Sequence, residues 1–281
     1  MQTERVIIEV ALNENQMRSA NPHIPYSTEE IAEAAQQCYD AGAAVVHFHG
    51  RDAVTGQPLM SDPETSLAGY KAITERTPLI AYPTYGAMAR VLDYYDIGEP
   101  APQRFTHFVQ AEAEGIEFEI GPVDLGTYDG NAFPSPDQGA KVPINAMLLN
   151  TGVDQQWITR FWQERNVKMT FALFDTRHVQ NLRNILDWGL SGEGTLVTKL
   201  FLGGFGASTE RETAFLVHFL SEMRALLPQM PSWMPVIAGG EQFSLGAMSV
   251  ALGGHMRVGL GDHHYAEMGA PTNAALVERA V

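Results

Sequence analysis

A chain of 281 residues with 45% hydrophobic and 18% charged side chains has ample material for a large buried core, and this excludes a disordered chain. A formal net charge of −15, from 33 acidic against 18 basic residues, repels phosphate backbones and anionic headgroups and argues against nucleic-acid and membrane partners. The single cysteine, Cys38, excludes an internal disulfide and a cysteine-rich zinc module; with no long uncharged apolar run and no basic leader in MQTERVIIEV, the expectation is a soluble cytoplasmic protein.

Short β-rich runs alternate with longer helical patterns along the chain. Strands are predicted at Val6–Leu12, Ala44–His49, Pro78–Tyr82, Ile116–Ile120, Val167–Phe174, Leu196–Leu202, Pro235–Ala238 and His255–Leu260. Helices are predicted at Ser27–Ala41, Pro63–Arg76, Gln103–Gly115, Asp154–Arg165, Thr176–Gly189, Thr209–Leu227, Gln242–Leu252 and Thr272–Ala280. Ser27 with Glu30 forms a capping box, and Gly42, Gly115 and Gly189 stand where helices should stop. Eight strands alternating with eight helices predict one α/β domain over residues 1–281, a (β/α)8 TIM barrel. An open doubly wound sheet is the alternative, but no G-x-G-x-x-G turn follows the first strand. The Gly126–Val142 stretch, rich in Gly, Pro and Asp, reads as a loop at the fourth strand's exit.

Chemistry in a barrel gathers at the C-terminal strand ends, on side chains of axial parity. In AVVHFHGRD, Val46 and Phe48 share the helix-facing side, so Val45, His47 and His49 face the axis. Two such histidines suit Zn²⁺ or a similar ion; a hydrogen-bonded pair in a polar barrel mouth is the alternative. In GIEFEIGP the apolar Ile116, Phe118 and Ile120 turn Glu117 and Glu119 inward, where a cation held by the histidines, or Arg257, would offset the cost of burial. In GGHMRVGLGD, Arg257 enters the barrel with Asp262 behind it, either to orient a carboxylate, to bind an anionic substrate or as structural pairing. Thr84 and Gly86 end the third strand as candidate substrate contacts. Gly203, Gly204, Gly206 and Ser208 leave backbone N–H groups near a helix start, suited to a carboxylate or phosphate. Glu241 and Asp175 each read as a helix-start residue or a site acid, and Cys38 as core.

Three segments together resemble the β-keto acid cleavage enzyme family: PHIPYSTEEIAEAAQQCYDAGAAVVHFHGRD, then FLGG, then GGHMRVGLGD, in order across nearly the whole chain. The resemblance implies a zinc-binding (β/α)8 barrel, commonly a tetramer, that converts a β-keto acid plus acetyl-CoA into acetoacetate plus the shortened acyl-CoA. It also implies His47 and His49 as zinc ligands, Arg257 and Asp262 as a proton-transfer pair, and Thr84 and Gly86 as substrate contacts; from the glycine turn after the sixth strand, Gly204 is the further candidate substrate-binding residue. Three positions depart from the family pattern. The third-ligand glutamate is replaced by Gly261, and a fifth-strand glutamate that meets a substrate amine by Ala172. The seventh-strand turn AGGEQFS is short and lacks the family arginine. The expectation is therefore that Glu119 supplies the missing ligand and that an amino-keto acid is disfavoured as substrate. A metal-dependent hydrolase and a non-catalytic metabolite-binding barrel are the alternatives.

Overall fold

The computed structural model describes residues 5–86, 88–89, 102–129, 147–190, 197–203 and 211–281. Eight parallel strands lie in chain order: β1 (Ile8–Ala11), β2 (Val45–Phe48), β3 (Ile80–Pro83), β4 (Ile120–Leu125), β5 (Lys168–Leu173), β6 (Val197–Leu202), β7 (Ser232–Ile237) and β8 (Met256–Val258). Helices follow them: α1 (Thr28–Asp40), α2 (Pro63–Arg76), α3 (Thr106–Ala113), α4 (Gly152–Glu164), α5 (His178–Asp187), α6 (Thr213–Leu226), α7 (Phe243–Ala251) and α8 (Asn273–Ala280). The ladders form two parallel half-sheets, β8-β1-β2-β3 and β4-β5-β6-β7. At one seam the His255 N–H donates to Trp233 O at 2.7 Å and the Gly239 N–H to Asp262 O at 2.8 Å. At the other, the Asp124 N–H donates to the Tyr85 hydroxyl at 2.7 Å. The α/β barrel architecture read from the alternating pattern is the one the chain adopts, with hydrogen-bond ladders confined to the two halves among the described residues.

The local signals act as read. The Ser27 hydroxyl accepts from the Glu30 N–H, and the Glu30 carboxylate accepts from the Ser27 N–H at 2.9 Å. Asp62 caps α2 with Pro63 in the first turn, and Thr151 with Asp154 forms a second capping box at α4. Gly42, Gly115 and Gly189 all hold positive φ where α1, α3 and α5 stop. Val10, Val46, Phe48, Val123, Leu125, Phe171, Leu173, Leu200 and Leu202 face the helices and form the continuous core with them. The alternate positions face the axis. Cys38 is buried, and burial pushes its thiol up to about 12, so it packs as a small hydrophobe. No described helix is long and apolar enough to cross a membrane.

The fourth strand is displaced from its predicted place. The alternation of Ile116, Phe118 and Ile120 belongs to the climb from α3 into the sheet, and the strand itself runs Ile120–Leu125. The Ile116 N–H donates to Ala111 O at 2.9 Å, the Tyr70 hydroxyl donates to Glu117 O at 2.9 Å, and Phe118 packs on Tyr70 and Phe108. The apolar side chains thus anchor the segment to the helix layer, and Glu117 and Glu119 are exposed. Pro122 hides the true strand from sequence reasoning; it is tolerated because, among the described residues, β4 has a ladder partner on one side only. The Gly126–Val142 loop lies largely outside the described residues; Tyr128–Asp129 pairs antiparallel with Met147–Leu148, which also pairs with Met88–Ala89.

Candidate active site

His47 ends the axial face of β2, and His49 follows it; they are 8% and 3% exposed. Their rings stand edge to face with centroids 5.4 Å apart. The His47 Nδ1 lies 3.2 Å from Tyr82 O, so a proton on Nδ1 satisfies the carbonyl and leaves the Nε2 lone pair free. Burial pushes the His47 ring down to about 4 against the pull of Glu14, which keeps it neutral, the form that ligates metals.

Both Nε2 atoms point at one carboxylate, Glu14, in the loop after β1. His47 Nε2 is 3.1 Å from Glu14 Oε1, and His49 Nε2 contacts Glu14 Oε2. The three residues offer ligand atoms within 4.8 Å of one another, a spacing one cation can bridge. Burial alone would raise the Glu14 carboxyl, but His49 and His47 hold it well below the usual range.

The chain builds this loop deliberately. Glu14 has φ of +35°, an uncommon conformation for a side-chain-bearing residue. Arg51, the arginine of H-x-H-x-R, supports it: Nη2 donates to Asn13 O at 2.7 Å and to Glu14 O, and Nη1 donates to Gly56 O at 2.6 Å. The Asn13 amide accepts from the His49 N–H at 2.9 Å and donates to His49 O at 3.1 Å, locking the loop to the β2 exit. Gly261 completes the seat, because a Cβ there would lie 2.5 Å from Glu14 Cγ. Gly261 thus leaves room for the Glu14 side chain, which comes from the opposite end of the chain.

Arg257 is the hub of the next layer. Its Nε and Nη2 fork onto Asp262 at 2.8 and 2.7 Å, Nη2 also reaches Glu14 Oε1 at 2.6 Å, and Nη1 reaches Glu9 Oε1 at 2.8 Å. Burial would lower the guanidinium, but Asp262, Glu14 and Glu9 raise it well above its usual value, so it stays charged. Burial raises Asp262 above the ordinary carboxylate range against the pull of Arg257. Glu9 also accepts from the Tyr82 hydroxyl at 2.7 Å and pairs with Lys199 at 2.9 Å. Burial would raise Glu9, but Lys199 and Arg257 outweigh it and hold it down; burial lowers Lys199 to about 8.

Glu14, His47, His49, Tyr82, Lys199, Arg257 and Asp262 line a cavity of about 140 Å³ together with Asn15, Met60, Thr84, Tyr85, Pro122, Val123, Asp124, Thr170, Ala172, Phe174 and Phe201. Of the sequence candidates, the structure brings His47, His49, Thr84, Arg257 and Asp262 to this cavity. Gly86 is not in the lining; its N–H donates to Ser61 Oγ and its carbonyl accepts from Arg104 Nε, both at 2.7 Å. Gly204, like Gly206 and Ser208, lies outside the described residues. Glu119 is corrected: it is exposed, it precedes β4, and it is absent from the ligand cluster, because the strand that would have turned it inward begins after it. His263 pairs with Glu267, Glu241 accepts from the Phe243 N–H, and Asp175 accepts from the Arg177 N–H.

Sequence reasoning missed Glu14, Glu9, Lys199 and Asp124. Glu9 and Lys199 carried a signal, since each is a charge at axial parity inside an apolar strand. Glu14 stood among loop polars, without periodicity to single it out.

Comparison with known proteins then decides the kinship. The sequence profile of the beta-keto acid cleavage enzyme family matches residues 5–281. The chain belongs to that family. It is 26% identical over 285 residues to the 3-keto-5-aminohexanoate cleavage enzyme of Acetoanaerobium sticklandii, covering 99% of this chain and 91% of the relative. It is 25% identical over 280 residues to the 3,5-dioxohexanoate:acetyl-CoA acetone transferase of Paraburkholderia graminis, covering 93% of this chain and 83% of the relative. Among solved structures, the apo structure of ObcA has the same fold, with a TM-score of 0.66 at 17% identity. That match covers 92% of this chain and 61% of ObcA, so the family member described here spans about three-fifths of the ObcA chain.

Proposed function

We propose that this family member condenses a β-keto acid with acetyl-CoA to give acetoacetate and the corresponding acyl-CoA, with zinc as its resident ion. The observation that carries the reading is a cluster of two histidines and a carboxylate facing an arginine-clamped aspartate across one small cavity. Two curated relatives whose names specify β-keto acid cleavage and acetyl-CoA transfer support it.

Glu14, His47 and His49 would hold the ion; the donor set fits zinc, with two imidazoles, one carboxylate and the Tyr82 carbonyl behind His47 Nδ1 to orient its ring. When bound, a divalent cation supplies Lewis-acid polarisation of the substrate's ketone. Asp262 removes the acidic proton between the two carbonyls of the keto acid. Its raised pKa brings a carboxylate base closer to neutral pH, where proton transfer is better matched. Arg257 holds both Asp262 oxygens in one orientation, and Glu9, itself pinned by Tyr82 and Lys199, holds Arg257. By family analogy, the resulting carbanion attacks the acetyl carbonyl carbon, CoA passes to the original ketone carbon, and a retro-Claisen step breaks the old carbon–carbon bond. Asp262 returns its proton to the acetoacetate. The atoms balance without an enzyme-bound acyl group, so no nucleophilic serine or cysteine is needed.

The histidine pair on β2, with no histidine on β5 or β6, gives the hydrolase alternative no support. A panel of β-keto acids with acetyl-CoA, read as acetoacetate formed by zinc-loaded protein, tests the reading. Zinc-bound protein that consumes none of them with acetyl-CoA would end it. The family's tetramer is the expected assembly, to be read by sedimentation.

A further inference from the structure

The cavity wall built by β4, β5 and β6 carries polar groups to which the reaction above gives no direct contact. Ladder register sets Asp124 beside Ala172, and Ala172 beside Lys199. One layer of the barrel therefore runs acid, methyl, ammonium, and Ala172 leaves room between the two charged side chains. Thr170 lies two residues earlier on the same face of β5, at the floor of that space. It is 2% exposed, and its Oγ1 has no hydrogen-bond partner among the described residues. A buried hydroxyl without a partner is costly to keep, and native sites that keep one commonly meet a ligand. The Lys199 ammonium has three N–H groups; Glu9 and Tyr82 take two. Above the space, Phe174 and Phe201 pack with ring centroids 4.4 Å apart and bound it with apolar surface.

We propose that Thr170, with Asp124 and Lys199, forms a subsite for the side chain of the keto acid, and that this subsite takes a neutral oxygen, a hydroxyl or second ketone, on the chain beyond the reacting carbonyl. The proposal rests on the β-keto acid reading and deepens it to a substrate class. Charge decides against the other polar groups. An ammonium would stand in the same layer as Lys199, and a carboxylate would face Asp124 with Glu9 behind. A neutral oxygen accepts from Lys199 and Thr170, and a hydroxyl also donates to Asp124. A plain alkyl chain leaves the Thr170 hydroxyl as it is, without a partner.

The test compares zinc-loaded wild type, Thr170→Val and Thr170→Ser on 3-oxohexanoate, 5-hydroxy-3-oxohexanoate and 5-amino-3-oxohexanoate. Acetoacetate is read with acetyl-CoA present, and thermal stabilisation by each acid is read without it. Wild type should favour the hydroxy acid over the alkyl acid by about tenfold or more in kcat/KM, with the preference nearly abolished in Thr170→Val and kept in Thr170→Ser. Thr170→Val should match or exceed the wild-type Tm, because the hydroxyl it removes bonds to nothing in the fold. Equal use of the alkyl acid, preference for the amino acid, an unchanged ratio in Thr170→Val, or a marked loss of its Tm would each overturn the subsite. Selective stabilisation without acetoacetate keeps the subsite and ends the cleavage reading. Acetoacetate without selectivity does the reverse, and neither binding nor turnover ends both.

Discussion

Glu14 meets three partners at once: the His47 and His49 rings through its two oxygens, and Arg257 Nη2 at 2.6 Å. Removing its charge while keeping its shape leaves both imidazoles without an anionic co-ligand. Glu14→Gln should therefore lower zinc affinity by more than the ~10–100-fold typical of losing an outer-shell partner, measured by metal analysis after dialysis. Glu119→Gln should leave zinc content at the wild-type level, since that side chain is exposed before β4. Asp262 differs in kind, because it touches Arg257 and the cavity but is not in the ligand cluster. Asp262→Asn keeps an oxygen for the Arg257 fork and loses the basic carboxylate. Turnover should fall roughly 100-fold or more while zinc content is kept, and unchanged turnover would remove Asp262 from the mechanism.

Elements differ in how openly they announce themselves. The β2 exit was legible because parity is strict on a strand: once Val46 and Phe48 are apolar, His47 and His49 must share the other face. The β8 segment was legible for the same reason, with Arg257 at axial parity and Gly259 where any Cβ would lie 2.2 Å from Ala11 O. The β4 region was not, because period-two apolar spacing at Ile116, Phe118 and Ile120 also serves a segment anchoring to a helix layer, and Pro122 masks the real strand. The β1 exit loop was illegible for a further reason: Glu14 is placed by Arg51 from another element, so its role lies in tertiary contacts and not in local pattern. The shifted β4 has its own consequence. It sets Asp124 in the cavity wall, where burial, with a contribution from Glu14, raises the carboxyl from 3.8 to about 6 despite Arg104, Tyr85 and His49. A carboxyl so raised keeps its proton in the fold after the unfolded chain has lost it. Its favourable share is complete below the ordinary value of 3.8 and is lost as pH climbs through about 6. In metal-free protein the Tm of wild type relative to Asp124→Asn should therefore fall across that interval; a flat difference would place the Asp124 pKa near its ordinary value.

At the scale of the whole molecule, the acidic excess reaches into the barrel. Around the cavity the lining carboxylates Glu14, Asp124 and Asp262, and Glu9 paired with both cations, face two cations among the described residues, Arg257 and Lys199, with His47 held neutral. The metal-free interior is thus left with an unbalanced negative charge in a poorly solvated place, where such charge is costly. A divalent cation offsets that excess. Binding to the native state alone then stabilises the fold by mass action. Chelation should lower the Tm by about 5 °C from a state with zinc at roughly 100 times its Kd, and added zinc should restore it. The same treatment of Glu14→Gln should move the Tm far less, because that variant has already lost both the ligand and part of the excess charge the ion offsets. Equal shifts in the two proteins would mean that the stabilising ion sits elsewhere in the molecule.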